Sequence, residues 1–200
     1  RVEADSAVRV VILTGEGKAF SAGGDIAAWG GMQAQEFGHH WVRHGHRIFD
    51  RLATLRMPVI AAMNGHALGG GLELAGAADI RIAERQAKIG LPETSLGMVP
   101  GWSGTQRLVR RFGAQIVRRM VVGGEMFTTE EARLHGLVDH VVDTGEALKA
   151  AKDYAARIAA RGPAAVEISK LMLSIASGED NGAAVEALGF EAADVLARWP

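Results

Sequence analysis

The sequence predicts an α/β chain, with strands in its first two thirds and helices dominating the last third. Three observations carry this. Short apolar runs rich in Val and Ile recur at residues 8–14, 59–63, 79–83 and 138–142, and turn-forming residues lie near their ends. Apolar residues return at helical spacing between 34 and 55 and again from 146 onward. Glycine numbers 26 of 200 residues, against a usual share of about 7%. It clusters at 15–31, 65–76 and 97–104, where the backbone turns sharply or comes close to a ligand.

The elements follow in order. Residues 8–14 are β-branched and end at Gly15, which reads as a buried strand. Residues 20–25 read as a loop, with Asp25 placed to cap a short helix running toward Trp29. Phe37, Trp41, Ile48, Leu52 and Leu55 share part of one helical face. Pro58 opens a second strand to Met63, a glycine-rich loop follows, and residues 72–75 read as helix. Strands are expected at 79–83 and, shorter, at 88–91. Residues 101–112 give a loop and then a basic helix, and 115–122 another helix. Thr128 and Glu131 form a capping-box pair, and Gly136 ends that helix. A last strand at 138–142 precedes helices at 146–160, 163–177 (opened by Pro163) and 183–198. The economical division is one unit with a core at 1–142 and a helical section at 143–200.

Composition bounds the function. Hydrophobic residues make up 48% and charged residues 22%, enough for a substantial core. The net charge of −1 argues against a dedicated nucleic-acid or anionic-membrane binder. With no cysteine, a disulfide scaffold, a thiolate zinc site and a cysteine nucleophile are excluded. The longest uncharged run, from Met57 to Leu72, holds Pro58, Asn64, His66 and four glycines, so it is not a membrane span. Nothing at the start resembles a signal peptide, and a cytoplasmic location is expected. The chain begins at Arg1 rather than a methionine, consistent with a fragment.

The glycine loops do not match the known phosphate-binding and nucleophile motifs. Gly65 and Gly70 have P-loop spacing, but Gly71-Leu72 stands where Lys-Ser/Thr is required. The run Gly69-Gly70-Gly71-Leu72-Glu73-Leu74 lacks the last glycine of a dinucleotide fingerprint. Gly101-Trp102-Ser103-Gly104-Thr105 lacks the last glycine of a nucleophile elbow. What remains is strand, His66-Ala67-Leu68-Gly69-Gly70-Gly71-Leu72-Glu73, then helix. Glycines at a helix start present N–H groups with no intrahelical partner, and the helix dipole adds positive charge there. Such a place suits a developing oxyanion. Glu73 follows Gly70 within one turn, and Glu93 follows Pro92 in a second loop. Two carboxylates and an N–H pair are what water addition across a conjugated carbonyl needs. A tight turn with Glu73 as a dipole partner explains the first loop equally well, and Glu93 could instead cap a helix.

Several stretches together resemble the crotonase (enoyl-CoA hydratase/isomerase) superfamily. They are Lys18-Ala19-Phe20-Ser21-Ala22-Gly23-Gly24-Asp25-Ile26, residues 58–74 through Asn64-Gly65-His66 and the glycine triplet, and Asp79-Ile80-Arg81. They continue with Pro92-Glu93-Thr94-Ser95-Leu96-Gly97, Gly104-Thr105-Gln106-Arg107-Leu108 and Ala132-Arg133-Leu134-His135-Gly136-Leu137-Val138. Order and spacing hold from about residue 8 to 142. The resemblance implies a crotonase-like spiral of ββα units with a C-terminal helical trimerisation section, incomplete here at both ends. It implies an oxyanion hole from the N–H groups of Gly24 and Gly70, catalysis by Glu73 and Glu93, and contacts to the coenzyme A thioester from Ala22, Gly24, Asp25, Ile26, Gly70 and Trp102. The implied reaction is hydration of a 2-enoyl-CoA, in a homotrimer or hexamer, with an acyl-CoA substrate and no metal or other cofactor. An isomerase would keep only Glu93, and an RNA-binding homologue would use basic surface instead.

Two departures stand out. Ala27 sits where some hydratases carry lysine, and Trp102 sits where the family has a small residue. An inward Trp102 would shorten the acyl tunnel, and the expectation is that it points inward. His39, His40, His44 and His46 lack a further ligand for a metal and read as a partly exposed helix face. Arg107, Arg110, Arg111, Arg118 and Arg119 read as a solvated helix face with carboxylate partners, and Trp29 and Trp41 as pocket or core packing.

Overall fold

The structure is a computed structural model that describes residues 2–29 and 31–179. Its elements in chain order are β1 (Val11–Thr14), β2 (Ala19–Ser21), α1 (Ile26–Trp29), α2 (Ala34–Glu36), α3 (Arg43–Ala53), β3 (Val59–Met63), β4 (His66–Leu68), α4 (Gly70–Ala75), β5 (Ile80–Glu84) and β6 (Lys88–Gly90). There follow α5 (Arg107–Phe112), α6 (Ala114–Val121), β7 (Phe127–Thr128), α7 (Thr129–Leu134), β8 (His140–Val142), α8 (Ala147–Ala159) and α9 (Pro163–Ala176). A π turn at Phe37–Val42 joins α2 to α3 as one helix, and a 3₁₀ turn occupies Pro92–Leu96. The helix expected at 183–198 lies outside the described residues.

Strands β1 to β6 alternate between two sheets, after which β7 joins the second and β8 the first. One has the order β1-β3-β5-β8, all parallel, and the other the order β2-β4-β6-β7. In the second sheet β2, β4 and β6 run parallel, and β7 closes the edge antiparallel to β6. Each turn of chain thus lays one strand in each sheet and returns through a helix or loop. This is the spiral of ββα units that the resemblance implies.

The pattern along β3 shows why the sheets stack. Val59, Ala61 and Met63 belong to the core shared with Leu72, Ile89, Leu108 and Met120. Ile60 and Ala62, with the period-2 alternation of a strand, face the other way and pack with Ile82, Ala147 and Ala151. A strand covered on both faces needs an unbroken apolar run, and residues 59–63 supply it. The C-terminal helices dress the outside. Lys170 Nζ donates to Asp79 Oδ2 at 2.7 Å and to the Met57 carbonyl at 3.1 Å, and Arg56 pairs with Glu167, which seats α9 on the first sheet.

The short second sheet was the part of the fold least visible in the sequence. Residues 20–21 and 66–68, read as loops, fall in strands β2 and β4, and 127–128 adds β7. Each is two or three residues long, too short for an alternation pattern to register. The first strand also begins at Val11 rather than residue 8, and α4 begins at Gly70 rather than Leu72. The capping box forms as expected: Thr128 Oγ1 accepts from the Glu131 N–H at 3.2 Å, and Glu131 Oε2 accepts from the Thr128 N–H at 2.8 Å.

Candidate active site

The β4–α4 junction builds the site. Gly69 has φ 55° and ψ −126°, a conformation that strains any residue with a Cβ. A Cβ there would also stand 2.8 Å from Glu93 Oε1. Gly69 and Gly70, on this turn, line a cleft of about 530 Å³. As the first residue of α4, Gly70 has an N–H with no intrahelical acceptor. The Gly24 N–H, in the loop after β2, meets no acceptor among the described residues. The two come close, since a Cβ on Gly70 would lie 3.6 Å from the Gly24 nitrogen.

Glu73 stands on the first turn of α4 and is 2% exposed. Its Oε1 accepts from the N–H groups of Trp102 at 2.7 Å and Gly104 at 2.6 Å. Burial pushes its pKa up to about 7, the two amides and Arg107 pull the other way, and the nearby Glu93 adds to the rise. Glu93 is held by the 3₁₀ turn, which begins at Pro92 and is pinned to α6 by Thr94 Oγ1 donating to the Val121 carbonyl at 2.9 Å. Burial raises its pKa as well. Its Oε2 is buried with no hydrogen-bond partner among the described residues. A buried carboxylate oxygen without a donor is rare unless a ligand, water or proton completes it.

Trp102 points inward. Its ring stands 3.3 Å from where a Cβ on Gly24 would be and 2.7 Å from one on Gly70. The indole N–H donates to the Trp41 carbonyl in the π turn at 3.1 Å. The rings of Trp41 and Phe49 pack on it at centroid distances of 5.5 and 5.2 Å. A Cβ on Gly45 would overlap the indole nitrogen, so α3 is notched to receive the ring.

The cleft gathers Ala22, Gly24, Ile26, Gly70, Glu73, Glu93 and Trp102 from four separate segments. Asp25 is the expected contact residue that does not line it. Its Oδ1 accepts from the Ala27 and Ala28 N–H groups at 3.0 and 3.2 Å, so it caps α1, the helix that carries Ile26 to the rim. Sequence reasoning missed a second layer. Ser103, His46, Asp50 and Arg107 form a hydrogen-bonded chain behind Glu73. His46 and Asp50 are i,i+4 neighbours, a signal that was present but submerged in the histidine cluster.

The arginine reading needs correction. Arg107 pairs with Asp50. Arg111 is gripped by Glu179 at 2.7 Å and by the Gly76 and Ala78 carbonyls. Both are largely buried inside ion pairs, because α5 packs its arginines against acidic groups and open carbonyls. A larger cleft, about 960 Å³, is lined by Arg110, Arg111, Lys170 and Leu173. Neither glutamate lines it, and its Arg81–Asp139, Arg111–Glu179 and Lys170–Asp79 pairs are mutually neutralised. Among the described residues no three His, Asp or Glu side chains are grouped to hold a metal ion. No described helix is long and apolar enough to cross a membrane.

The chain belongs to the enoyl-CoA hydratase/isomerase family, whose model matches residues 1–190. It is 44% identical over 170 residues to the short-chain-enoyl-CoA hydratase of Clostridium acetobutylicum, covering 84% of this chain and 65% of that protein. It is 43% identical over 173 residues to the crotonyl-CoA hydratase of Syntrophomonas wolfei, with the same coverage. An enoyl-CoA hydratase structure from Geobacillus kaustophilus superposes with a TM-score of 0.89 at 33% identity, covering 99% of this chain and 75% of that one. The chain therefore spans just under two thirds of the length of these two curated relatives.

Proposed function

We propose that this chain carries the active site of a hydratase that adds water to a 2-enoyl-CoA thioester, giving the 3-hydroxyacyl-CoA. The observation that carries the reading is the meeting of a buried carboxylate, Glu73, and a half-buried one, Glu93, with two open amides, Gly24 and Gly70, in one cleft. The amides would donate to the thioester oxygen as it becomes enolate-like, and removing one such donor typically costs about 2.7–4 kcal/mol of barrier. Glu73, ionised, takes a proton from water as its oxygen bonds to C3. The C2–C3 π electrons move toward the thioester. Glu93, protonated, delivers a proton to C2 as the enolate collapses, and proton exchange between the carboxyls and solvent resets the pair. Raised pKa values suit both roles, since proton transfer is most efficient by groups that titrate near working pH. The thioester is the electron sink, so the reaction calls for no cofactor.

Trp102 gives the acyl end of the reading. A thioester seated at Gly24 and Gly70 meets the indole directly, and the indole is braced on three sides. Short or planar acyl groups are the expected substrates. The substrates named for the two curated relatives, short-chain and crotonyl thioesters, are of that size. The proposed assembly is a homotrimer or hexamer, with α8 and α9 in the section that would carry the contacts.

The test is loss of the conjugated-thioester absorbance across a panel of 2-enoyl-CoAs, with Glu73→Gln and Glu93→Gln. Both substitutions are expected to abolish most turnover while acyl-CoA binding persists. Near-normal turnover in Glu73→Gln with a dead Glu93→Gln would replace hydration by double-bond isomerisation.

A further inference from the structure

Ser103 is the single non-glycine residue with positive φ among the described residues, at 84°. It is 3% exposed and stands between the two residues whose amides grip Glu73. A side chain in this region is strained and persists only where surroundings hold it. Here they do. Ser103 Oγ lies 3.1 Å from His46 Nδ1. His46 Nε2 lies 3.2 Å from Asp50 Oδ2, and Asp50 Oδ1 pairs with Arg107. The Arg107 N–H donates back to the Ser103 carbonyl at 2.8 Å, which closes the ring. The carboxylate of Asp50 only accepts, so Nε2 is the ring nitrogen placed to donate to it and Nδ1 the one placed to face the Ser103 hydroxyl.

We infer that Ser103, His46, Asp50 and Arg107 form a closed strut that locks residues 102–104 in the conformation where two amides converge on Glu73 Oε1. These are positioning residues. The strut ties the loop to α3 on one side and to α5 on the other, and neither element carries a proposed catalytic glutamate. The inference rests on the proposed role of Glu73 only where it is read through turnover.

The consequence is specific. If residues 102–104 relax, Glu73 loses the two amides that favour its ionised form, and its titration moves to higher pH. The charged groups around it are Glu93 from the 3₁₀ turn and Arg107 from α5, with Arg43, His46 and Arg47 along the α3 wall of the cleft. His46→Ala leaves all of these but His46 itself in place, including the Arg107–Asp50 pair.

The experiment compares His46→Ala, Ser103→Ala, Ser103→Gly and the double variant His46→Ala/Ser103→Gly. Two readouts are used. One is the acid limb of kcat/KM against pH. The other is the carbon-13 titration of the Glu73 carboxyl, assigned by its loss in Glu73→Gln. His46→Ala and Ser103→Ala keep the strained Cβ and lose the strut. Each is expected to raise the Glu73 midpoint by about one unit, an approximately tenfold loss of kcat/KM below it. Ser103→Gly removes the strain together with the hydroxyl, so it should stay near wild type and should restore the His46→Ala background. Ser103→Ala serves alone if His46→Ala does not fold. Wild-type titration of Glu73 in both alanine variants, or no recovery in the double variant, overturns the strut. A shifted carboxyl titration with an unshifted acid limb upholds the strut and removes Glu73 from the role of base.

Discussion

Replacing Glu73 by glutamine should stabilise the protein above pH 7 and leave its stability unchanged near pH 4. The carboxyl is 2% exposed, and burial lifts its pKa from 4.5 to about 7. Between those two values the folded chain holds a proton that the unfolded chain has released. Stability therefore falls as pH rises through this window and is level on either side. The gap, 7 − 4.5 = 2.5 units, at about 1.36 kcal/mol per unit, is on the order of 3 kcal/mol above pH 7. Glutamine never ionises, and its Oε1 accepts from the same Trp102 and Gly104 amides. For a chain of this length each kcal/mol moves Tm by about 2–4 °C, so the variant should melt roughly 6–12 °C higher at pH 8.5. The assay is urea or thermal unfolding of both proteins, followed by tryptophan fluorescence at pH 4, 5.5, 7 and 8.5. The difference between them should grow across the middle two points. A constant difference at every pH, or a variant less stable at pH 8.5, would show that an ionised, buried Glu73 is not what the fold is holding. The most active form would then not be the least comfortable one.

Other expectations follow from the same geometry. The kcat/KM of the proposed hydration should climb with pH through about 7 as Glu73 ionises, and a flat profile from pH 5.5 to 8 would exclude it as the base. Trp102→Ala should shift the ratio of kcat/KM between short and long enoyl-CoAs toward the long ones by roughly 10–200-fold, about 1–3 kcal/mol; an unchanged ratio would mean the indole is not the acyl wall. Gly69→Ala should cost about 1–3 kcal/mol from backbone strain and displace Glu93, visible as a lower urea midpoint with lost turnover. Met172 and Leu173 are exposed on α9, and light scattering at micromolar concentration should return a trimer or its multiple rather than a monomer.

Much of this protein was legible along the chain because the signals were local. The run at 59–63 announces a strand buried on both faces, since only an unbroken apolar stretch survives there. The Thr128–Glu131 pair marks its helix start by a contact three residues long. The glycine triplet marks the β4–α4 turn, where a Cβ at Gly69 would be both strained and in collision with Glu93. What the chain could not reveal depends on contacts between distant segments. The strands of the second sheet are two or three residues long and exist because neighbours hydrogen-bond to them, not through any pattern of their own. The buried state of Arg107 and Arg111 was hidden because a basic run looks the same on an open face and inside an ion pair. His46 and Ser103 are 57 positions apart, and neither residue type in its own stretch announces the other. The hydroxyl, imidazole and carboxylate meet only when α3 is laid against the loop before α5. Local chemistry is written in neighbouring residues, whereas desolvation, and with it the raised pKa of Glu73, is a property of everything that packs around the site.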